Sequence, residues 1–147
     1  MSNHFIEGTW IGKLSYDESY PPEYRDKILS FTIKLWFEDD VIKGTCEDDI
    51  TKELMLKAAS IEGTFEDRSI HFIKRYPCRI IIDEQSNLKA EPLEPSTGIQ
   101  YNGHLRKKMF SDKYYFKGDW DISGSFIDEE GTARYYTFGG KWTMEQL

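Results

Sequence analysis

Phe116-Lys117-Gly118-Asp119-Trp120 has apolar residues at both ends, a glycine at its centre and polar residues between. Side chains of an extended strand alternate faces, so Phe116, Gly118 and Trp120 share one side. The same figure recurs at Ile6-Glu7-Gly8-Thr9-Trp10, Ile42-Lys43-Gly44-Thr45-Cys46, Ile61-Glu62-Gly63-Thr64-Phe65, Tyr101-Asn102-Gly103-His104-Leu105 and Phe138-Gly139-Gly140-Lys141-Trp142. Glycine is disfavoured inside strands and marks a bend or a close approach of another group. Its repetition between large residues on one face predicts a sheet coiled tightly around a narrow interior.

Working outward, Ile28 to Glu38 has the clearest alternation. Leu29, Phe31, Ile33, Leu35 and Phe37 interleave with Ser30, Thr32, Lys34, Trp36 and Glu38. One face is core and the other is wet, which excludes a sheet covered by helices on both sides. The remaining strands are expected at Gly8–Tyr16, Val41–Asp49, Lys57–Phe65, Arg68–Tyr76, Ile99–Lys107, Lys113–Ser123 and Thr132–Met144. Asp39-Asp40 and Glu66-Asp67 read as tight turns, and Ile50–Leu56 as a short helix or an irregular link. Cys78–Asp83 has strand propensity without alternation, so it either extends the fifth strand or forms an edge piece. Asp17–Lys27, with its paired prolines, and Glu84–Gly98, with Pro92 and Pro95, read as long loops. Eight strands joined mostly by short turns predict an all-β, antiparallel up-and-down β-barrel, which removes free sheet edges by closing.

The chain has 147 residues, enough for one domain that buries roughly 70% of its unfolded surface. Hydrophobic residues make up 39%, charged residues 31% and aromatics 15%, the last favouring strands. A net charge of −7 argues against a nucleic-acid or anionic-membrane partner, because both need clustered lysine and arginine. No apolar run reaches the ~18 residues of a membrane span, and the first residues lack the pattern of a signal peptide. Cytoplasmic location with reduced thiols at Cys46 and Cys78 is the expectation. Self-association through the outer face is compatible with an outward Trp36, which either packs under a loop or marks a subunit contact.

These glycine-centred strands, opened by Gly8-Thr9-Trp10, resemble those of the calycins: lipocalins, fatty-acid-binding proteins and avidin-like barrels. The resemblance covers the whole chain as strand grammar, and it implies a lipocalin- or streptavidin-like barrel that binds a small, often apolar ligand inside. At the avidin positions that contact biotin, Gly12 stands for an asparagine and Tyr16 for a serine. Arg134 and Tyr136 resemble the Arg-x-Tyr of fatty-acid-binding proteins, which implies a role in holding a ligand carboxylate.

Eight strands enclose an interior just wide enough to be filled by side chains or to hold one small ligand. Both outcomes are open: aromatics fill the glycine gaps, or one end remains a pocket. A pocket needs inward polar groups to orient its ligand. Arg134 with Tyr136 leads that set, because a planar guanidinium matches a carboxylate. Tyr16, Lys74, Tyr101, Tyr114 and Trp120 complete the candidate lining, with Asp48 and Tyr76 behind them. His4, His71 and His104 lack zinc-ligand spacing, so no metal is expected. Cys46 has no identified base, and the glycines precede no helix, so neither a catalytic residue nor a cofactor is expected. The reading is a non-enzymatic barrel for a small apolar or aromatic, in one variant carboxylated, ligand. The alternative is a side-chain-filled barrel serving as a protein-interaction or inhibitor module.

Overall fold

In the computed structural model, which describes residues 4–54, 57–82, 84, 85, 87–91 and 97–147, eight antiparallel strands close into a barrel. They are β1 (Gly8–Tyr16), β2 (Ile28–Glu38), β3 (Val41–Asp48), β4 (Ala59–Glu66), β5 (Ser69–Arg75), β8 (Ile99–Lys107), β9 (Tyr114–Ile127) and β10 (Ala133–Gln146). Their order around the barrel is that of an up-and-down meander, closed by β1 pairing with β10 from Trp10↔Gln146 to Tyr16↔Gly140. No helix among the described residues is long and apolar enough to cross a membrane.

Two further strands stand outside the barrel wall. The edge piece at Cys78–Asp83 forms β6 (Arg79–Ile82), and β7 (Leu88–Glu91) lies within the stretch read as an unstructured loop; the two pair as a separate hairpin. A four-residue pairing gives too little alternation to be legible as a strand. Pro92, Pro95 and Asp83 lie outside the described residues.

The alternation of Ile28–Glu38 is realised as read. Leu29, Phe31, Ile33 and Leu35 are buried, while Ser30, Lys34 and Trp36 are exposed. Trp36 is 38% exposed, and its indole N–H donates to Glu38 Oε1 at 3.2 Å. The turn between β2 and β3 is centred on Asp39-Asp40, both at positive φ (51° and 67°). That is the two-residue hairpin geometry whose twist matches the flanking strands. The second such turn is centred on Asp67-Arg68 rather than Glu66-Asp67, with the same pair of φ values.

Large rings are seated over Gly12, Gly103 and Gly140. A Cβ at Gly103 would lie 2.6 Å from Trp142, and one at Gly12 would overlap Phe31. Gly103 and Gly118 face each other across β8 and β9, where a Cβ on Gly118 would meet the Asn102 carbonyl oxygen. With Trp10, Phe72, Phe116 and Trp142 each no more than 1% exposed, the middle of the lumen is packed. A 3-10 helix at His4–Ile6 covers one rim: Ile6 is buried, and its carbonyl accepts the Trp10 indole N–H at 2.8 Å. The short turns share that rim.

The opposite rim, the mouth, carries the three longest connections, with α1 (Pro22–Arg25), α2 (Asp49–Leu54) and the β6–β7 hairpin, and also the β9–β10 tip. β9 runs beyond Ser123 to Ile127, with the glycine figure spelled once more at Ile122-Ser123-Gly124-Ser125-Phe126. Barrel pairing with β8 stops at Asp121 and with β1 at Gly140. Beyond those points β9 and β10 pair only with each other among the described strands, up to Ala133↔Ile127. The result is a two-stranded ribbon rising roughly 20 Å above the mouth, at about 3.3 Å per residue.

Candidate functional site

Beneath the mouth, the apolar lumen ends in a buried charge pair. Asp48 closes β3 and Lys74 nearly closes β5, both on the inner face and both 1% exposed. Lys74 Nζ donates to Asp48 Oδ2 at 2.6 Å, and the Tyr76 hydroxyl donates to the same oxygen at 2.5 Å. The other carboxylate oxygen accepts the Thr51 N–H at 2.9 Å, so Asp48 caps α2 as well. Thr51 completes the loop of bonds through its hydroxyl, which accepts the Asp48 N–H at 2.9 Å. Tyr76 and Tyr101 place their rings 4.6 and 5.9 Å from Lys74 Nζ, adding cation–π contacts.

Burial opposes both charges, and the geometry overrides it. For Asp48 the desolvation cost is outweighed by the Lys74 charge and by hydrogen bonds from Lys74, Tyr76 and Thr51, leaving its pKa below the usual carboxylate value. For Lys74, burial is outweighed by the surrounding acidic groups, and its pKa stands well above the ordinary lysine value. Burial pushes the Cys46 thiol up to about 11, with Lys74 opposing. Cys46 and Cys78 are both free and both buried.

Above the pair stands an aromatic wall. Tyr16, raised to about 12 by burial with Lys74 opposing, lies 5.7 Å from Trp120 and 5.8 Å from Tyr24, centroid to centroid. Tyr101 stacks on Phe72 at 4.7 Å, and the Trp120 indole N–H donates to the Ser15 carbonyl at 3.0 Å. Phe138, on the ribbon, reaches over the same space with Tyr136 5.3 Å away.

Of the residues read from sequence, Tyr16, Lys74, Tyr101 and Trp120 are brought together at this end, with Asp48 and Tyr76. Tyr136 stands above them on the ribbon. Tyr114 is at the far rim, 6.3 Å from Phe5, because it pairs with Lys107 beside the β8–β9 turn. Arg134 shares the Tyr136 side of its strand but lies above the enclosed lumen; its side chain is 59% exposed and bonds Asp128 at 2.8 Å. It does not face Lys74. Tyr20, Tyr24 and Thr51 join the site unannounced, since all three sit between the barrel strands with no strand alternation to point them inward; Phe138, read as inward from the glycine figure, joins them from the ribbon.

His71 and His104 lie on the outer wall, hydrogen-bonded to Asn102 at 2.6 Å and Ser69 at 3.0 Å. Among the described residues no group of three or more His, Cys, Asp or Glu is arranged to hold a metal.

The fold and this end of it define a closed eight-stranded antiparallel barrel with a charged, aromatic-walled mouth. Comparison with protein-family models, curated proteins and solved structures finds no match.

Proposed function

We propose that the chain is a non-enzymatic calycin-like barrel that binds a small, largely aromatic ligand at its mouth. The observation carrying this is the Lys74–Asp48 pair, placed under an aromatic wall at the end of an otherwise apolar lumen. A buried ion pair is often no more stabilising than apolar residues of the same size. Its retention at the one end with long connections supports a role in orienting a polar group of a ligand. Pockets of this kind combine an apolar lining with a few fixed polar groups.

Native mass spectrometry of protein purified from its own cells tests the reading. An adduct lost on denaturation, and absent from a folded Lys74→Met/Asp48→Asn variant, is the expected result. A wild-type protein that never carries or binds a small molecule would overturn it.

A second reading, a protein-interaction module, is favoured by the ribbon. Gly139 exchanges its backbone bonds with Asp17 and Ser19 on its outer side, so by the two-residue period Thr137, Tyr135 and Ala133 aim theirs outward too. Tyr135 and Ile127 are 83% and 69% exposed on the same ribbon. Affinity capture with wild type and Tyr135→Lys decides it: partners lost only from the variant support the module, and identical sets argue against this surface.

A further inference from the structure

Tyr20 is delivered by the Asp17–Lys27 connection, and it sits at the centre of the other rings of the mouth. Its centroid is 4.7 Å from Phe138, 4.8 Å from Tyr16, 5.8 Å from Tyr24 and 5.9 Å from Trp120. Phe138, Tyr16 and Trp120 come from β10, β1 and β9, so they form a cup whose sides belong to separate strands, while Tyr24 of α1 rides on the same Asp17–Lys27 segment as Tyr20. Tyr20 fills it.

The loop that carries Tyr20 is bonded chiefly within itself. The Tyr20 N–H donates to the Asp17 carbonyl at 3.2 Å, and its own carbonyl accepts from Arg25 Nε at 3.2 Å. Arg25 also reaches the Glu18 carbonyl, while Asp17 accepts from the Ser19 N–H. Its ties to the ribbon come before Tyr20: the Asp17 N–H to Gly139 O, and the Gly139 N–H to Ser19 Oγ, both at 3.0 Å. Most of the bonds named here run within the segment and travel with it, so its departure gives up the two ties to Gly139 and the ring contacts of Tyr20. Those contacts are what an incoming aromatic ring would restore.

From this we infer that Tyr20 is a built-in stopper, and that the ligand is a single-ring aromatic amine that takes its place in the cup. The inference rests on the mouth being a ligand site and names its ligand class. The ring follows from the shape of the seat, which holds a phenol now. The amine follows from charge. Asp17, Glu18, Glu23 and Asp26 outnumber Arg25 and Lys27 on the loop, while Asp48 balances Lys74 beneath the cup. Faces of Tyr and Trp rings also attract cations and repel anions. A carboxylated ring would enter against that field, and Arg134, bound to Asp128 on the ribbon, does not offset it.

The experiment measures binding of tyramine, 4-hydroxyphenylacetate and 2-cyclohexylethylamine by calorimetry to wild type and to Tyr20→Ala, each checked for folding by near-UV circular dichroism. Tyramine is expected to bind, with the other two weaker by about ten-fold or more. Removing the internal competitor is expected to tighten tyramine by about ten-fold, because an occupied seat lowers apparent affinity by the fraction that is open. In wild type, tyramine should also speed tryptic cleavage after Arg25 and Lys27 as the loop is driven out, a readout that does not depend on the variant folding. Tyramine binding that is weakened by Tyr20→Ala, or that leaves tryptic cleavage unchanged, would overturn the stopper. If the protein carries a cellular adduct that none of these probes displaces, the stopper and its ligand class fail while the ligand site stands; if neither adduct nor probe ever binds, both fail.

Discussion

Gly140 is cut away where Trp120 crosses the barrel. A Cβ at Gly140 would lie 2.7 Å from Trp120 Nε1 and would overlap the Ser15 carbonyl oxygen, the same oxygen that accepts the indole N–H. The side chain that shapes the mouth and the backbone that holds it therefore meet over one missing methyl. Gly140→Ala should force the β1–β10 pairing apart at Tyr16↔Gly140. Overpacking of this kind costs about 1–3 kcal/mol. The loss should appear in a denaturation midpoint, together with a change in Trp120 fluorescence; an unaltered midpoint would mean the strand shifts freely.

The two tight hairpins differ in how well their residues suit them. Asp39, Asp40 and Asp67 tolerate positive φ through short side chains that bond locally, whereas Arg68 at φ 67° does not. Arg68→Gly should stabilise the protein by about 1 kcal/mol, raising the melting temperature by roughly 2–4 °C for a chain of this size. Asp40→Gly should give less. Differential scanning calorimetry of the pair decides the point, and equal shifts would show that strain at Arg68 is already relieved.

Burial and a thiol pKa near 11 should leave Cys46 unreactive in the folded state. Iodoacetamide at pH 8, read by peptide mass spectrometry, should modify Cys46 only as fast as the protein opens. Labelling at the rate of a free peptide thiol would place Cys46 at an accessible surface instead.

How much of this was legible follows from what periodicity can carry. Leu29 to Leu35 and the glycine figure announce the barrel, because each strand buries one face and the inward glycines make room for a ring, as at Gly12, Gly103 and Gly140, or for a neighbouring backbone, as at Gly44, Gly63 and Gly118. Lys74 and Asp48 were readable as inward by counting in twos, but their pairing was not, since β3 and β5 are neighbours only through β4. Tyr20 and Tyr24 lie in a segment without a period, so nothing in their spacing aims them at the mouth. Arg134 shows the opposite case: the count in twos holds along the strand, but β10 outruns the barrel, so this position stands above the rim, exposed and beside Asp128. The offset between the ends of β1 and β8 and the reach of the ribbon is a tertiary fact.

The pH dependence of stability should report the buried pair directly. Asp48 has its pKa lowered on folding, so the unfolded chain takes up the proton first as pH falls. Its contribution is fully present above the unfolded value of about 4 and is lost below it, as pH drops through the lower folded value. Lys74 has its pKa raised, so its contribution is present below about 10.4 and is lost as pH climbs through the still higher folded value. Glu62 is also lowered, by the Lys43 hydrogen bond and charge, but that pair is exposed and screened by salt; Asp128, half-buried, is lowered chiefly by the Thr132 N–H and by Arg134, and salt leaves its backbone bonds in place. An acid limb of the stability curve that persists in about 1 M salt is therefore shared by Asp48 and Asp128, and the Asp48 share is the part that Lys74→Met/Asp48→Asn removes. Lys74→Met alone leaves a buried carboxylate without its counter-charge and should cost about 3–5 kcal/mol near neutrality. Lys74→Met/Asp48→Asn keeps the cap on α2 and the Tyr76 bond without burying a charge, so it should recover most of that loss and flatten the acid limb. Urea titrations from pH 2 to 8 on the three proteins test this, and a double variant as unstable as the single one would mean that the barrel depends on the ion pair itself.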